Sequence, residues 1–530
     1  MFRTAFALFL LVPALLVPTS GSAAIYTVDT TSNATLAACA DAVPDDCSLR
    51  GAIDKANGTG GADTIHFAIP DTDPGFQPIT AHWRIVANPD LPFISAPLTI
   101  DGYTQPGAEE NTLSPDQGGS NAVLKIELRS LGNGQGLFAG SPTTLRGLAI
   151  NHFHTALLLF APGPHRVEGS FIGTDITGLQ RDGTTTSIGI RISAPSTIGG
   201  LTPAARNVIA GNSSLGISDQ SGTSTQPSIY QGNIFGLGAD GSTVLPGQDN
   251  GIQLNDAAQG TVVGGDTPAA RNLFGGHDFA AIYVTGSPLA GNPPDIRIQG
   301  NWFGTDWSGT LSRPNGRHPT SPTQSQPTIS IFRGGRCGLR IGGLAPGEGN
   351  RIDSGAAAGV HIGTCEGAAI VGNQFSGNRI AIDVSPTSNP DGASANDVGD
   401  ADLGGNRMQN APVVTLPPNF ISDGGGDTVA LSYVVDSTPA NSSYPLTVYF
   451  YRGGCNGGGR ELIASDTYGE SDAQQPRNFN LVGDGNVLPL TTLAVDAAGN
   501  TSEFSPMLGD NLFADGIETE PAVFGPGRCP

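Results

Sequence analysis

An acidic, glycine-rich segment offers the most promising set of metal ligands in the sequence. It supplies side-chain oxygens from Asp391, Asn396, Asp397, Asp400 and Asp402. Hard cations such as Ca²⁺ prefer carboxylate and amide oxygens, so the segment predicts a Ca²⁺ site. The spacing is not that of an EF-hand, because the Glu of the twelfth position is missing. A solvated acidic loop without an ion is the alternative.

Two carboxylates and two arginines recur at equivalent places in repeated phrases. Asp175 and Asp306 occupy one slot, in which the middle copy has Gly238, and Arg206 and Arg271 recur within Ala-Arg-Asn. Carboxylates that hydrolyse a glycoside act as a specific pair, whereas a residue that returns with every repeat is typical of a turn or of packing. We therefore predict structural roles for these residues.

Histidines give weaker signals. His277 stands beside Asp278, which makes these two the first candidates if the protein is an enzyme. His152 and His154 would share one face if their segment is extended. Two histidines without a third ligand do not make a zinc site, so we expect surface positions for them. No nucleophile elbow, P-loop or zincin motif occurs.

Two phrases repeat along the chain in a fixed order. Residues 169–178, 232–241 and 300–309 share the first phrase, and 372–377 is a degenerate copy. Aligned on positions 172, 235, 303 and 375, the copies are 63, 68 and 72 residues apart. The second phrase, 198–209, returns at 263–274 and more loosely at 341–352. A fixed period of this kind indicates stacked repeats, at about three coils per period by our estimate.

Composition favours an all-β chain. Gly (76) and Pro (40) separate short β-branched runs, and no long amphipathic helix pattern appears after the N-terminus. Strands of three to five residues fit a right-handed parallel β-helix with rungs of roughly 20 or more residues. A β-propeller is the rival, but its hairpin turns are scarce here. We expect ladders of the asparagines that recur at bends: Asn207, Asn233, Asn272, Asn301, Asn350 and Asn373.

Charge and the N-terminal segment point to export. The net charge is −22, which opposes binding to nucleic acid and, unless Ca²⁺ bridges the two, to polyanionic glycans. Residues 1–24 read as a signal peptide, with Arg3 before an apolar run too short to span a bilayer; a retained membrane anchor is the alternative. No later segment is apolar enough to cross a membrane as a helix, and we expect a secreted or surface-exposed monomer.

Six cysteines in an exported chain can form disulfides. We expect a local bridge between Cys39 and Cys47 and a bridge between neighbouring coils from Cys337 to Cys365. Cys455 and Cys529 remain, and a bridge between them would fasten the C-terminal tail. Metal binding is not expected, because no Cys-x-x-Cys spacing occurs.

Both ends of the repeat region resemble one bacterial family. Residues 47–53, Cys-Ser-Leu-Arg-Gly-Ala-Ile, resemble the CSLREA motif of secreted β-helix proteins, with Gly51 in place of Glu. Leu49, Ile53 and Ala56 share a helical face behind Ser48, a candidate N-cap. Residues 389–412 resemble the segment that closes the repeats in the same family. The resemblance implies a pectin-lyase-like, right-handed parallel β-helix whose first end is covered by a short helix.

The resemblance also suggests the domain organisation. After the signal peptide we expect an N-terminal cap with the first coils at 25–96 and the β-helix at 97–410. Longer alternating strands at 411–508, which end in a hairpin like that of bacterial immunoglobulin-like domains, predict an antiparallel β-sandwich. A short tail follows at 509–530.

Two functions fit this reading. The first is a non-catalytic, adhesin-like protein that binds an extracellular polysaccharide or a cell surface. The second is a polysaccharide lyase or glycoside hydrolase, since enzymes of the resembled fold work in the outer groove of the helix. An enzyme should show a non-repeated group of carboxylates with Arg or Lys in a groove. The recurrence of most polar residues favours the binding protein.

Overall fold

The structure is a computed structural model that describes residues 22–40, 42–132, 134–181, 186–222, 224–286, 295–317, 325–387, 389–415, 428–454, 458–482, 487 and 489–508. The predictions for residues 1–21, for the tail at 509–530, and for Cys455 and Cys529 lie outside these residues. In the described part of the chain, no helix combines the length and apolar character needed to cross a membrane.

Three long sheets carry most of the chain. Sheet 1 contains Ile25–Val28, Asp63–Phe67, Leu98–Asp101, Thr143–Arg146, His165–Glu168, Ser196–Gly199, Ile229–Gln231, Val262–Gly264, Ile296–Gln299, Gly335–Gly342 and Cys365–Val371. Sheet 2 contains Phe76–Gln77, His82–Val86, Ile126–Arg129, Leu148–Asn151, Phe171–Ile172, Val208–Ile209, Ile234–Phe235, Leu273–Phe274, Trp302–Phe303, Arg351–Asp353 and Gln374–Ser376. Sheet 3 contains Gln135–Ala139, Thr155–Leu159, Ile188–Ile192, Leu215–Asp219, Asn250–Asn255, Ala280–Gly286, Ile329–Arg333, Ala358–Ile362 and Ile380–Val384.

The chain visits the three sheets in turn, and each circuit from Thr143–Arg146 onward forms one coil. Neighbouring coils pair in parallel, for example Leu157 with Ile190 in sheet 3. The inward row of that sheet stacks aliphatic side chains, which builds a continuous apolar core. The all-β prediction is confirmed, and the parallel sheets are consistent with a β-helix solenoid. Parallel pairing contradicts the β-propeller alternative, whose blades are antiparallel.

Each long repeat contains two coils, and the estimate of about three is wrong. Ile172 pairs with Ile209 in sheet 2, and Ile209 pairs with Phe235. Both repeated phrases therefore supply a strand to the same sheet, in alternate coils. Every second coil is longer because a small hairpin follows its sheet 2 strand, closed by bridges around residues 174–181, 237–244 and 305–312.

The expected asparagine ladder is confirmed, and it lies inside the solenoid. Each member stands directly before a strand of sheet 2 and is at most 2% exposed. The Nδ2 group of each donates to Oδ1 of the next at 2.9–3.1 Å, in the order Asn207, Asn233, Asn272, Asn301, Asn350 and Asn373. Beside it, the rings of Phe235, Phe274 and Phe303 stack with centroids 4.6 and 4.8 Å apart.

The predicted N-terminal helix and two disulfides are also confirmed. The helix spans Leu49–Asn57, and Oγ of Ser48 accepts the Gly51 N–H at 3.0 Å. Gly51 cannot be replaced without movement, because a Cβ there would lie 1.8 Å from the carbonyl oxygen of Leu36. The disulfides are Cys39–Cys47 and Cys337–Cys365, and the second joins adjacent strands of sheet 1.

Two antiparallel sheets form the C-terminal unit. One contains Val413–Thr415, Thr428–Val434 and Arg477–Val482, and the other contains Leu446–Gly453, Gly459–Tyr468 and Leu490–Val495. Together they enclose a separate apolar core that includes Leu431, Phe450 and Leu481. A second face of this unit packs on the last coil, where the Phe504 ring meets Phe375 at 5.8 Å.

Side chains that follow the last coil cover its open edge. Without a further coil, the amide groups of this edge would lack partners and could pair with another chain. Five of them instead donate to side chains at 2.8–3.1 Å: Gly367 to Asn500, Ala368 to Asn406, Ile370 to Thr501, Gly372 to Tyr451 and Val384 to Glu503. This fixes the C-terminal unit against the end of the solenoid.

Replacing Asn272 with Ala should destabilise the solenoid by about 3 kcal/mol. Its Nδ2 donates to the Tyr230 carbonyl and to Asn301, and its Oδ1 accepts from Asn233, so truncation leaves several buried polar groups unpaired. The measurement is the urea unfolding midpoint. Asn121→Ala, at an exposed position, is the control. Equal midpoints for the two variants would contradict a stabilising role for the ladder.

Candidate functional site

A cleft of about 700 Å³ lies where the last coil meets the C-terminal unit. Its walls are strand Ile380–Val384, residues 390–396, residues 408–413 and residues 503–506. The lining includes apolar residues, among them Met408, Pro412 and Phe504, and polar residues such as Arg379 and Asn396. The volume falls in the range of small-molecule and sugar-binding pockets. This cleft is therefore the leading candidate site in the described part of the chain.

Glu503 enters the cleft from the C-terminal unit and is only 7% exposed. Its Oε1 accepts the Val384 N–H at 3.1 Å, and its Oε2 accepts the Ser394 N–H at 2.9 Å. Burial, reinforced by the nearby charges of Asp383 and Asp391, raises the pKa of Glu503 to about 8, against the effect of the two amide donors. This carboxyl group is therefore mostly protonated at neutral pH.

Asp383 faces the cleft from the last strand of sheet 3 and is 1% exposed. Its Oδ2 accepts the Gly392 N–H at 3.2 Å, but its buried Oδ1 has no hydrogen-bond partner. Burial raises its pKa to about 6; the charge of Asp391 raises it further, and that of Arg379 lowers it. Asp391 itself is exposed at the rim. The cleft thus holds a non-repeated group of three carboxyls with one arginine.

The predicted Ca²⁺ ligands divide into two places. Oxygens of Asp397, Asp400 and Asp402 lie within 4.8 Å of one another, as a cation site requires. Asp391 instead lines the cleft, and both amide atoms of Asn396 bond to the backbone of Ala411 at 2.8 and 3.0 Å. Three of the five predicted ligands therefore lie together, and Ca²⁺ binding by the set stays a prediction.

Asp400 is the buried member of this trio, at 4% exposure. Its Oδ1 accepts the Asn410 N–H at 2.8 Å, and its Oδ2 accepts from the side chains of Gln409, at 2.7 Å, and Ser442. Burial, with the charges of Asp397 and Asp402, raises the pKa of Asp400 to about 6. A bound cation would offset this repulsion, so Ca²⁺ binding stays a prediction for these three residues.

The repeated carboxylates are turn residues, as predicted. Oδ1 of Asp175 accepts the N–H groups of Leu179 and Gln180, both at 3.2 Å, within its hairpin. Asp306 does the same with Thr310 and Leu311 at 3.2 and 3.1 Å. In the middle copy, which has Gly238 in that slot, Asp240 takes over this capping and accepts from the N–H groups of Ser242 and Thr243.

The repeated arginines hold other parts of the chain. Arg206 is 7% exposed, and its Nη1 donates to the carbonyls of Leu113, at 3.1 Å, and Gly119. The guanidinium of Arg271 stacks on the Trp302 ring at 4.1 Å. Both residues therefore have the structural roles that their recurrence predicts.

The histidine candidates do not form a catalytic group. His277 is 1% exposed inside the solenoid, where its Nδ1 bonds to Asn315 at 2.8 Å and its Nε2 lies 3.3 Å from Gln248 Nε2. Burial lowers its pKa to about 4, so it stays neutral. It belongs to a polar row in the core, and the adjacent Asp278 is only partly exposed.

His152 and His154 do not share a face. The segment is a bend rather than an extended strand, with φ of 62° at His152, so His152 is buried and His154 is exposed. The prediction of surface positions is therefore wrong for His152. Its backbone conformation, which the alternation argument assumed to be extended, is the reason.

Comparison with known proteins identifies no relative: no family model matches the chain, and no curated protein matches it. The residues of the cleft must therefore be interpreted from their own chemistry. Sequence reasoning missed Arg379, Asp383 and Glu503. One signal was present, because Asp383 interrupts the apolar run Ile380–Val384 that ends the repeats.

The raised pKa values predict a pH-dependent stability. A carboxyl whose pKa is raised by folding binds more protons in the folded state, so its contribution to the unfolding free energy declines as pH rises. For Glu503 the decline should run from about pH 5 to about pH 8. A tenfold difference in proton affinity corresponds to about 1.4 kcal/mol. Thermal midpoints measured from pH 5 to 9 should fall, and Glu503→Gln should flatten the slope. An unchanged slope in this variant would contradict the assignment.

Calcium should stabilise the junction through the carboxylate trio. Millimolar Ca²⁺ should raise the melting temperature by a few degrees, because an ion bound only by the folded state stabilises it. The double variant Asp397→Asn, Asp402→Asn should lose this increase. Asp391→Asn, which alters a member of the original set that lies in the cleft, should retain it. No increase in the unmodified protein would contradict the site.

Proposed function

We propose that this chain is a secreted or surface-exposed, right-handed parallel β-helix protein that binds a glycan without chemical conversion. The resemblance at residues 47–53 and 389–412 supports the fold, and an immunoglobulin-like C-terminal domain fits the two antiparallel sheets. Two disulfides are consistent with an extracellular location. The single observation that carries the function is the cleft at the solenoid end.

The lining of the cleft suits a sugar. Sugar rings present apolar faces as well as hydroxyl groups, and the cleft offers Met408, Pro412 and Phe504 beside carboxyl acceptors. The unpartnered Oδ1 of Asp383 could accept a hydroxyl hydrogen after a small movement. The repeated carboxylates on the hairpins, by contrast, are already engaged by their own backbone.

A glycoside hydrolase is the second candidate, because the cleft holds the non-repeated carboxyl groups with an arginine that an enzyme should show. Glu503 is protonated at neutral pH, as a general acid must be, and Asp391 at the rim could act as the base. However, both oxygens of Glu503 already accept backbone hydrogens that fasten the C-terminal unit. A group held in this way supports binding better than proton transfer to a substrate.

The test is a glycan-array screen of the exported chain with and without Ca²⁺, followed by assays of each hit for new reducing ends and unsaturated products. We expect binding without turnover. Asp391→Asn should weaken the binding about tenfold, whereas Asp54→Asn, on the helix at the opposite end of the solenoid, should not change it. If the chain cleaved a glycan and Asp391→Asn abolished this cleavage, the hydrolase function would be supported and binding without turnover would be contradicted. Absence of any hit would contradict both.

A further inference from the structure

The charge of the cleft restricts the class of glycan that it can take. Asp383, Asp391 and Glu503 face a single arginine, Arg379. In the described part of the chain, no lysine, arginine or histidine nitrogen lies within 4.0 Å of these three carboxyls, so none has an ion-pair partner. Glu503 is mostly protonated at neutral pH, so the negative charge of the cleft comes from Asp383 and Asp391, with Arg379 as the one cation of its lining, in a chain whose net charge is −22.

A second observation indicates that the cleft lacks a donor. Asp383 is 1% exposed, and the amides of Gly392 and Asp391 lie against its carboxyl, but no donor meets hydrogen-bond geometry at its Oδ1. A buried acceptor without a donor costs about 1–3 kcal/mol. A ligand that brings N–H or O–H donors would remove this cost.

A single metal ion does not fit these three carboxyls. Among the described residues, the metal-binding geometry occurs only at Asp397, Asp400 and Asp402, so Asp383, Asp391 and Glu503 do not converge on one point. Acidic sugars are disfavoured because their carboxylates would meet like charges in a partly buried site. Separate positive charges on one extended ligand match separate carboxyls better.

On the basis of the proposed glycan-binding function, we propose that the cleft selects a polysaccharide with free amino groups, such as a deacetylated amino-sugar polymer. An ammonium group carries three donors and a compact positive charge. One such group would pair with Asp391 at the rim, and another would supply the donor that Asp383 lacks. Phe504 and Pro412 would contact the sugar rings between them.

The experiment compares two ligands that differ only in this charge: a glucosamine hexamer and an N-acetylglucosamine hexamer. Calorimetric titration of the full chain at pH 6.5 and 150 mM salt should show at least tenfold tighter binding of the glucosamine hexamer. Asp391→Asn should remove most of this preference, and so should Asp383→Asn. Asp54→Asn should retain the preference and thereby exclude general attraction to an acidic surface.

The outcomes separate this inference from the proposed function. Equal affinities for the two hexamers, or a preference for the acetylated one, would overturn the selectivity for amino groups but leave glycan binding in place. If both cleft variants still bound the glucosamine hexamer more tightly, the cleft would not be the binding site. Binding of neutral array glycans alone, with dependence on Asp391, would also overturn the selectivity. Failure of every glycan to bind would overturn the proposed function itself.

Discussion

Six buried asparagines connect the coils, and the geometry of the rest of the chain depends on this ladder. Each side chain before Asn373 donates to the asparagine of the next coil, and each of the six also donates to a backbone carbonyl of a sheet 1 strand in the preceding coil, such as Nδ2 of Asn272 to Tyr230. Hydrogen bonds between parallel strands fix the distance between neighbouring coils. A slip of one residue in their register would exchange the inward and outward side chains. The ladder opposes such a slip because every misplaced coil would leave buried amides unpaired. The stacked Phe235, Phe274 and Phe303 rings depend on the same register.

The ladder ends at Asn373, in the last coil, and the C-terminal unit that follows covers this end of the solenoid. The last coil exposes amides and apolar side chains, and the C-terminal unit covers both. This cover brings Glu503 onto the Val384 amide and places it near Asp383. The proposed site is therefore a consequence of how the stack is terminated. The repeats determine the register and the length of the solenoid. Most of their polar side chains hydrogen-bond to the backbone of their own turns.

The sequence predicted the repeated elements and the short helix well, because the signals for these elements lie within short stretches of the chain. The helix at Leu49–Asn57, the ladder and the structural roles of Asp175 and Asp306 all follow from spacing and residue type. The number of coils per period was wrong because both phrases enter the same sheet. The cleft could not be predicted, since Asp383 and Glu503 are 120 positions apart and meet only through the docking of two units.

Hydrogen exchange of the full chain with its tightest-binding glycan tests the central claim, that the function resides at the end of the solenoid. The account predicts slower exchange of amides in residues 379–396 and 503–508 when the glycan is bound. Amides of the sheet strands between residues 188 and 303 should exchange as in the free protein. Protection spread along those strands, with none at the junction, would place binding on the outer face of the coils and contradict the account.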